Sequence, residues 1–279
     1  MPELPEVETI VRKLRPHLIG KTIKDAELRW ARTLALPSPR KFKELIKGQE
    51  IKEVTRRAKF FILSLSNFSL LIHLRMSGDL FIKEGKIEPE KHDRLILRLS
   101  SAEDGHLSNL VHRTASLVFN DTRKFGRVWL TANPEEVLGK LGPEPLSRAF
   151  TPQWLHTALH SKHRQLKPLL LDQTFLAGLG NIYTDEALHL AKLHPLAVSD
   201  FVTVKQAEVL HEAVRKVLKE GIRRNGASID WVYRGGEFQN YFRVYDREGK
   251  PCSVCGTKIE RILVGQRSTH FCPNCQKLR

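Results

Sequence analysis

The chain has 279 residues, enough for two domains with real cores, so it needs no disulfide staples. Its 46 Lys and Arg against 31 Asp and Glu leave a formal charge of +15, which points to a polyanionic partner, nucleic acid ahead of a membrane surface or an acidic protein. No apolar run approaches a membrane span, and the acidic start is no secretory signal. The four cysteines form two late Cys-x-x-Cys pairs, which favours a metal site in a reducing compartment over a disulfide framework.

In chain order, Val7, Ile10, Val11, Leu14 and Leu18 follow a helical period, so residues 5–18 are expected as an amphipathic helix ending at Gly20. The residues before it are Pro2 and Glu3. Once Met1 is trimmed, Pro2 presents a secondary amine, and an α-amino group is partly neutral near pH 7. Such an amine can attack a sugar C1′ and give an iminium, with Glu3 placed as a general acid/base. The plainer reading is that Pro5 opens a helix and Glu6 and Glu8 complement its positive end.

Residues 22–131 read mostly as strands: 22–30, 50–57, 59–66, 69–75, 79–83, 94–100, 116–120 and 126–131, with a short helix near 39–47. So many short strands suggest a sandwich or barrel-like pair of sheets. Lys59 puts a cation at a strand mouth. His73-Leu74-Arg75-Met76-Ser77-Gly78 leaves a strand for a turn, and Asn120-Asp121-Thr122-Arg123-Lys124-Phe125-Gly126 places an aromatic in a basic loop. A Met or Phe at such a tip can wedge into a base stack while Arg fills the space of an extruded nucleotide. Each alone also reads as ordinary packing or a tight turn.

Asn133-Pro134-Glu135-Glu136 reads as a capping box with proline at the first helical position. Gly142-Pro143 and Pro145 then mark an interdomain linker. Beyond it the chain turns helical. Thr151-Pro152 opens one helix, Asn181 opens another through Leu193, and Thr203 with Gln206 caps a long one to about Arg224, stopped by Asn225-Gly226. Leu179-Gly180-Asn181 could receive a phosphate at a positive helix end, with the Asn181 amide capping the helix or donating to that phosphate. Cys252-x-x-Cys255, 16 intervening residues and Cys272-x-x-Cys275 have the spacing of a closed tetrahedral zinc site, structural because four protein ligands leave no open position. Between the pairs, residues 265–270 read as a hairpin tip pointing the Arg267 guanidinium and hydroxyls outward.

Taken together, these motifs resemble the formamidopyrimidine-DNA glycosylase family of bacterial base-excision repair over nearly the whole chain. The likeness rests on Pro2–Glu8, Lys59, residues 73–78, residues 121–126, Gly178-Leu179-Gly180-Asn181-Ile182-Tyr183 and the terminal Gln266-Arg267…Phe271-Cys272-Pro273-x-Cys275-Gln276. It implies an α+β chain. An N-terminal two-sheet β-sandwich with an N-terminal helix (1–132) leads through a linker (133–148) to a helix–two-turn–helix domain (149–236) and a β-hairpin zinc finger (237–279). It implies Pro2 as the Schiff-base nucleophile, Glu3 as proton donor, and Lys59 and Arg267 as phosphate-gripping residues that assist β- and δ-elimination.

The resemblance further implies DNA contacts for His73, Met76, His92, Arg123, Phe125 and Asn181, and, by a looser match in the basic run 162–167, for Lys167. One structural zinc is implied, on Cys252, Cys255, Cys272 and Cys275. The expected substrate is double-stranded DNA with oxidised purines or abasic sites, met by a monomer in the bacterial cytoplasm at the nucleoid. Residues 226–234 depart from the family's loop over the damaged base. Two alternatives stand beside this reading: an endonuclease VIII-like glycosylase for oxidised pyrimidines, against which Leu4 and the Met76, Arg123, Phe125 trio argue, and a non-catalytic zinc-finger DNA-binding protein.

Overall fold

A computed structural model of the protein describes residues 1–85, 87–100, 115–228 and 235–278. Most of the divergent stretch 226–234 lies outside the described residues. By its internal packing the chain forms two units. One holds Met1–Pro2 and Glu6–Gly139, the other Glu3–Pro5, Lys140–Ser228 and the residues from Gly235 on. No helix among the described residues is long and apolar enough to cross a membrane.

The first unit is a sandwich of two sheets. Helix α1 (Leu4–Leu18) leads to β1 (Thr22–Leu28), β2 (Leu34–Leu36) and helix α2 (Pro39–Ile46). Strands β3 (Ile51–Arg57), β4 (Phe60–Leu65), β5 (Ser69–His73), β6 (Gly78–Glu84), β7 (Asp93–Ser100), β8 (Ala115–Asp121) and β9 (Arg127–Thr131) follow. One sheet has the order β1-β7-β8-β6 and is antiparallel throughout. The other runs β2-β9-β5-β4-β3, with only β2 and β9 parallel. Val7, Ile10, Val11, Leu14 and Leu18 of α1 join Phe42 and Ile46 of α2 and the inward residues of both sheets, such as Val54, Phe61, Leu63, Leu97 and Phe119, in one core. Burying each such side chain contributes about 1.5–3 kcal/mol. Strand β2 carries too few residues for a period-2 pattern to show.

The expected capping box at 133–136 takes a different form. Asn133 Oδ1 accepts from Glu135 N at 3.2 Å, but the return bond from Glu136 does not reach the Asn133 N–H. Thr131 stands between them: its hydroxyl accepts from Asn133 N at 3.0 Å and lies 3.3 Å from Glu136 Oε2. The helix that follows, α3 (Glu135–Leu138), is a single turn.

The second unit packs helices α4 (Pro152–His160), α5 (Leu166–Leu171), α6 (Asn181–Leu190) and α7 (Val204–Arg223), with the hairpin β10 (Glu260–Val264) and β11 (Arg267–Phe271). Thr203 and Gln206 form the expected capping box of α7. The stretch from 237 onward does not stand apart from the helices. Glu186 of α6, fully buried, accepts the backbone N–H groups of Arg243, Val244 and Tyr245 at 2.9–3.0 Å. Gln276 Nε2 donates to Leu193 O at 2.8 Å.

Candidate active site and nucleic-acid interface

In the first unit, Pro2 is buried at the head of α1. That helix is fastened to β3. Arg56 Nε donates to Glu8 Oε2 at 2.7 Å, Arg12 Nε to Glu8 Oε1 at 2.8 Å, and Arg15 Nε to Val54 O at 2.9 Å. Burial alone would raise the Glu8 carboxyl, but the two guanidinium groups outweigh it and hold it below the usual range. At the end of β3 the register pairs Arg57 with Phe60, so Ala58 and Lys59 form a two-residue turn. Ala58 takes a left-handed φ of 53°, and Lys59 is buried where a strand start was expected.

His73 ends β5 opposite Phe60, whose ring it meets edge-on at 4.8 Å. Its Nδ1 accepts from Arg75 N at 3.0 Å, which leaves the proton of the neutral ring on Nε2. Burial, then the charges of Arg75 and Lys59, push its pKa down to about 3. The structure thus places Lys59 near a His73 ring that is a neutral N–H donor.

A second corner is organised by Asp121, fully buried at the end of β8. Its Oδ1 accepts from Ser77 Oγ at 2.5 Å and from Arg123 N at 3.2 Å, and its Oδ2 accepts from Gly126 N at 2.7 Å. Gly126 is required here, because a Cβ would lie 2.3 Å from Phe119 Cζ. One carboxylate thereby fastens Ser77, next to Met76, and both ends of the loop that carries Arg123 and Phe125. The Arg123 guanidinium lies 4.9 Å from the Phe125 ring centre, and Phe125 is 49% exposed. His92 belongs to the same corner. Its carbonyl accepts from Asp121 N at 2.9 Å and its Nδ1 lies 3.1 Å from Arg94 Nη2, while Arg94 Nε donates to Asp121 O at 2.7 Å.

In the second unit, the positive end of α6 is already occupied. Glu3 Oε2 accepts from Gly180 N at 2.6 Å and Glu3 Oε1 from Ile182 N at 3.0 Å. Two N–H donors and the helix dipole favour negative charge at this point. A Cβ on residue 180 would sit 2.3 Å from Glu3 Cδ, so the approach requires glycine. The expected capping by Asn181 is therefore replaced by Glu3. The Asn181 side chain instead donates from Nδ2 to Ser268 O at 2.9 Å.

Lys167 also departs from expectation. It is fully buried, with Nζ 2.6 Å from Asp185 Oδ1 and donating to Ser268 O at 2.9 Å. Burial lowers its pKa, against the pull of Asp185 and, further off, of Glu3. Its ammonium is the counter-ion of a buried carboxylate and not a surface cation. Asp185 Oδ2 in turn accepts from His270 N at 2.9 Å. These bonds hold strand β11, whose first residue, Arg267, is exposed after a turn of left-handed Gly265 and Gln266. Thr269 faces inward, contrary to the expected outward hydroxyl, and its Oγ1 donates to Arg267 O at 3.0 Å.

The four Sγ atoms of Cys252, Cys255, Cys272 and Cys275 lie within 4.8 Å of one another. The Cys252–Cys275 pair is 4.0 Å apart and the Cys255–Cys272 pair 3.5 Å. A tetrahedral zinc with Zn–S bonds of about 2.3 Å needs sulfurs at about this spacing. Val254 N donates to Cys252 Sγ and Cys275 N to Cys272 Sγ, both at 3.4 Å, as suits thiolate ligands. The donor set fits one structural zinc ion.

Sequence reading overlooked Asp121, Asp185 and Glu186 as buried organisers. The signal for the first was an aspartate five residues before a glycine; for the other two it was a pair of acids inside an otherwise apolar helix.

Three family profiles match the chain in order: the formamidopyrimidine-DNA glycosylase N-terminal domain over residues 1–128, the formamidopyrimidine-DNA glycosylase H2TH domain over 141–232, and a zinc finger found in FPG and IleRS over 249–278. Among curated relatives, the formamidopyrimidine-DNA glycosylase of Chloroflexus aurantiacus is 46% identical over 99% of this chain and 98% of its own. That of Pelotomaculum thermopropionicum is 41% identical, with both chains covered in full. Among solved structures, Lactococcus lactis Fpg in complex with DNA containing an abasic site superposes with a TM-score of 0.88 at 34% identity, covering 99% of this chain and 100% of that one. The same protein in complex with DNA containing Fapy-dG matches equally well. The chain belongs to the formamidopyrimidine-DNA glycosylase family.

Proposed function

We propose that the protein is a base-excision-repair DNA glycosylase with AP lyase activity, and that it excises oxidised purines such as formamidopyrimidines and 8-oxoguanine from double-stranded DNA. With Met1 removed, the Pro2 nitrogen attacks C1′ of the damaged nucleotide, the N-glycosidic bond breaks, and the base leaves with a proton. The C1′–O4′ bond of the sugar ring then opens as O4′ takes a proton from Glu3, which leaves a C1′ iminium on Pro2 that acidifies the C2′ proton. Its removal expels the 3′ phosphate, and a second elimination expels the 5′ phosphate. Glu3 is the proton donor and acceptor at the sugar, held by Gly180 N and Ile182 N. Lys59 and Arg267 grip phosphates and assist the two eliminations.

His73 and Asn181 contact the DNA backbone, His73 through a neutral Nε2–H, and His92 touches DNA beside the Asp121 corner. Met76, Arg123 and Phe125 fill the gap left by the extruded base. The zinc, bound by four thiolates, shapes the finger that carries Arg267, and no step passes through it. We place the domains at 1–132, 149–236 and 237–279, and the activity in the bacterial cytoplasm at the nucleoid.

The observation that carries this reading is a buried carboxylate, anchored by the N-terminus of α6, on the residue next to Pro2. Borohydride trapping on an 8-oxoguanine duplex tests it. The expected product is a covalent adduct that peptide mapping assigns to Pro2; an adduct on an internal lysine, or none, overturns the nucleophile. Faster release of thymine glycol than of 8-oxoguanine would overturn the purine preference.

A further inference from the structure

We propose that Trp30 is a positioning residue for the loop that opens the duplex, acting on Phe125 through Lys124. The inference rests on the wedge role given above to Met76, Arg123 and Phe125.

Trp30 follows the end of β1, and Lys124 sits at the apex of the loop that leaves β8. The two strands are not neighbours, because β7 lies between them in the sheet. The ends of all three are nevertheless fastened together. Arg29 N donates to Arg94 O at 2.9 Å, and the Arg94 side chain in turn donates to Asp121 O at 2.7 Å. Trp30 thereby reaches across β7, and the Lys124 ammonium lies 4.1 Å from the centre of its ring. The Arg32 guanidinium lies 5.9 Å from the same ring. Trp30 is half-buried and is not one of the side chains of the sandwich core. Its indole face is spent on cations.

Lys124 needs such a partner. It is a non-glycine residue at φ 60°, a conformation that L side chains adopt only when their surroundings impose it. Asp121 fixes the loop at Arg123 N and at Gly126 N, so it sets the two ends but not the apex. The cation–π contact supplies the third point. It holds the backbone of Lys124 in the left-handed region and so aims the next residue, Phe125, outward. Without it the apex is free to relax, and Phe125 enters the base stack from a broader set of orientations. Excision of a stacked base then slows, whereas cleavage at a preformed abasic site, where no base must be extruded, does not depend on that aim.

The test uses the full-length, zinc-loaded protein. Single-turnover excision from an 8-oxoguanine duplex is measured for Trp30→Ala, Trp30→Phe, Lys124→Met, the Trp30→Ala/Lys124→Met pair and Phe125→Ala, alongside cleavage of an abasic duplex and a thermal melt. Stacking next to the lesion is followed with 2-aminopurine fluorescence. We expect Trp30→Ala to slow excision and the 2-aminopurine signal roughly three- to tenfold, the scale of one cation–π contact. Abasic cleavage and the melting temperature should stay unchanged, Trp30→Phe should restore most of the rate, and the double variant should be no slower than Trp30→Ala. Wild-type excision by Trp30→Ala, additive losses in the double variant, or an equal loss on the abasic duplex would each overturn the inference. Phe125→Ala separates it from the reading beneath it. If Phe125→Ala excises normally, the wedge role itself fails and the inference with it; if only Phe125→Ala is slow, the role of Trp30 alone fails.

Discussion

The two units position their chemistry by different physical means. The first places Lys59, Met76 and Phe125 each directly after a left-handed residue, Ala58, Arg75 and Lys124, with φ between 53° and 60°. Each such residue costs of order 1–3 kcal/mol, which the surrounding sheet must over-determine. The second also has a left-handed Gln266 before Arg267, but adds a layer of buried charge beneath it: Lys167, Asp185, and Asn181 converging on Ser268 and His270. Strained turns set the direction of the side chain that follows them through the backbone alone. Buried charges fix a strand rigidly but fail badly when one partner is lost. The two designs therefore predict different injuries.

The largest effect is expected in the buried network. Lys167→Met leaves the buried Asp185 carboxyl without its counter-ion and should cost about 3–5 kcal/mol. It is read as a fall in urea midpoint at constant slope. Adding Asp185→Leu should return much of the loss, and a single variant as stable as wild type would dissolve the contrast. Next, Gly180→Ala pushes a methyl into the Glu3 carboxylate. Base excision should fall on the order of a hundredfold while lesion-DNA affinity holds, the scale of a displaced general acid. Loss of binding in step with excision would instead give Glu3 a purely structural role.

In the first unit, His73 sets a pH test. Its folded pKa, about 3, lies below its ordinary 6.5, so its contribution to stability is present above about pH 6.5 and is lost as pH falls towards 3. NMR titration should show the ring neutral throughout pH 5–8, and His73→Gln should flatten the acid limb of the stability curve. A ring that titrates near 6.5 would return it to the cationic phosphate contacts. The smallest effect belongs to the turns: Ala58→Gly should change stability by less than about 1 kcal/mol, since glycine is at ease at φ 53°. It should slow strand nicking by loosening Lys59, and an unchanged nicking rate would show that the turn only presents the lysine and does not aim it.

What could be read in advance follows the range of the interaction. The strands of the sandwich alternate within a few residues, and the cysteine pairs announce their ligation by spacing, so both were legible. Helix α5 was not, because its apolar residues Leu166, Leu169 and Leu170 follow a basic run and surround Lys167 and Pro168. The burial of Lys167 was hidden for a related reason: a lysine in a cationic stretch reads as surface until its partner, Asp185, is known. The Asn181 cap was misread because the true cap comes from the far end of the chain. Asp121, by contrast, holds a loop only five residues long, and its role could have been found from the Asp-to-Gly interval alone.

The bond between Glu3 and Gly180 spans 177 residues. During synthesis at about 5–20 residues per second, Glu3 must wait roughly 10–35 s before its backbone donors exist. The strands of the first sheets can pair well before then. The Glu3 carboxylate thus finds its place only after those strands, and a product truncated before Gly180 bears Pro2 without the acid fixed beside it. Translation past Ile182 is itself a checkpoint on when this protein can acquire its chemistry.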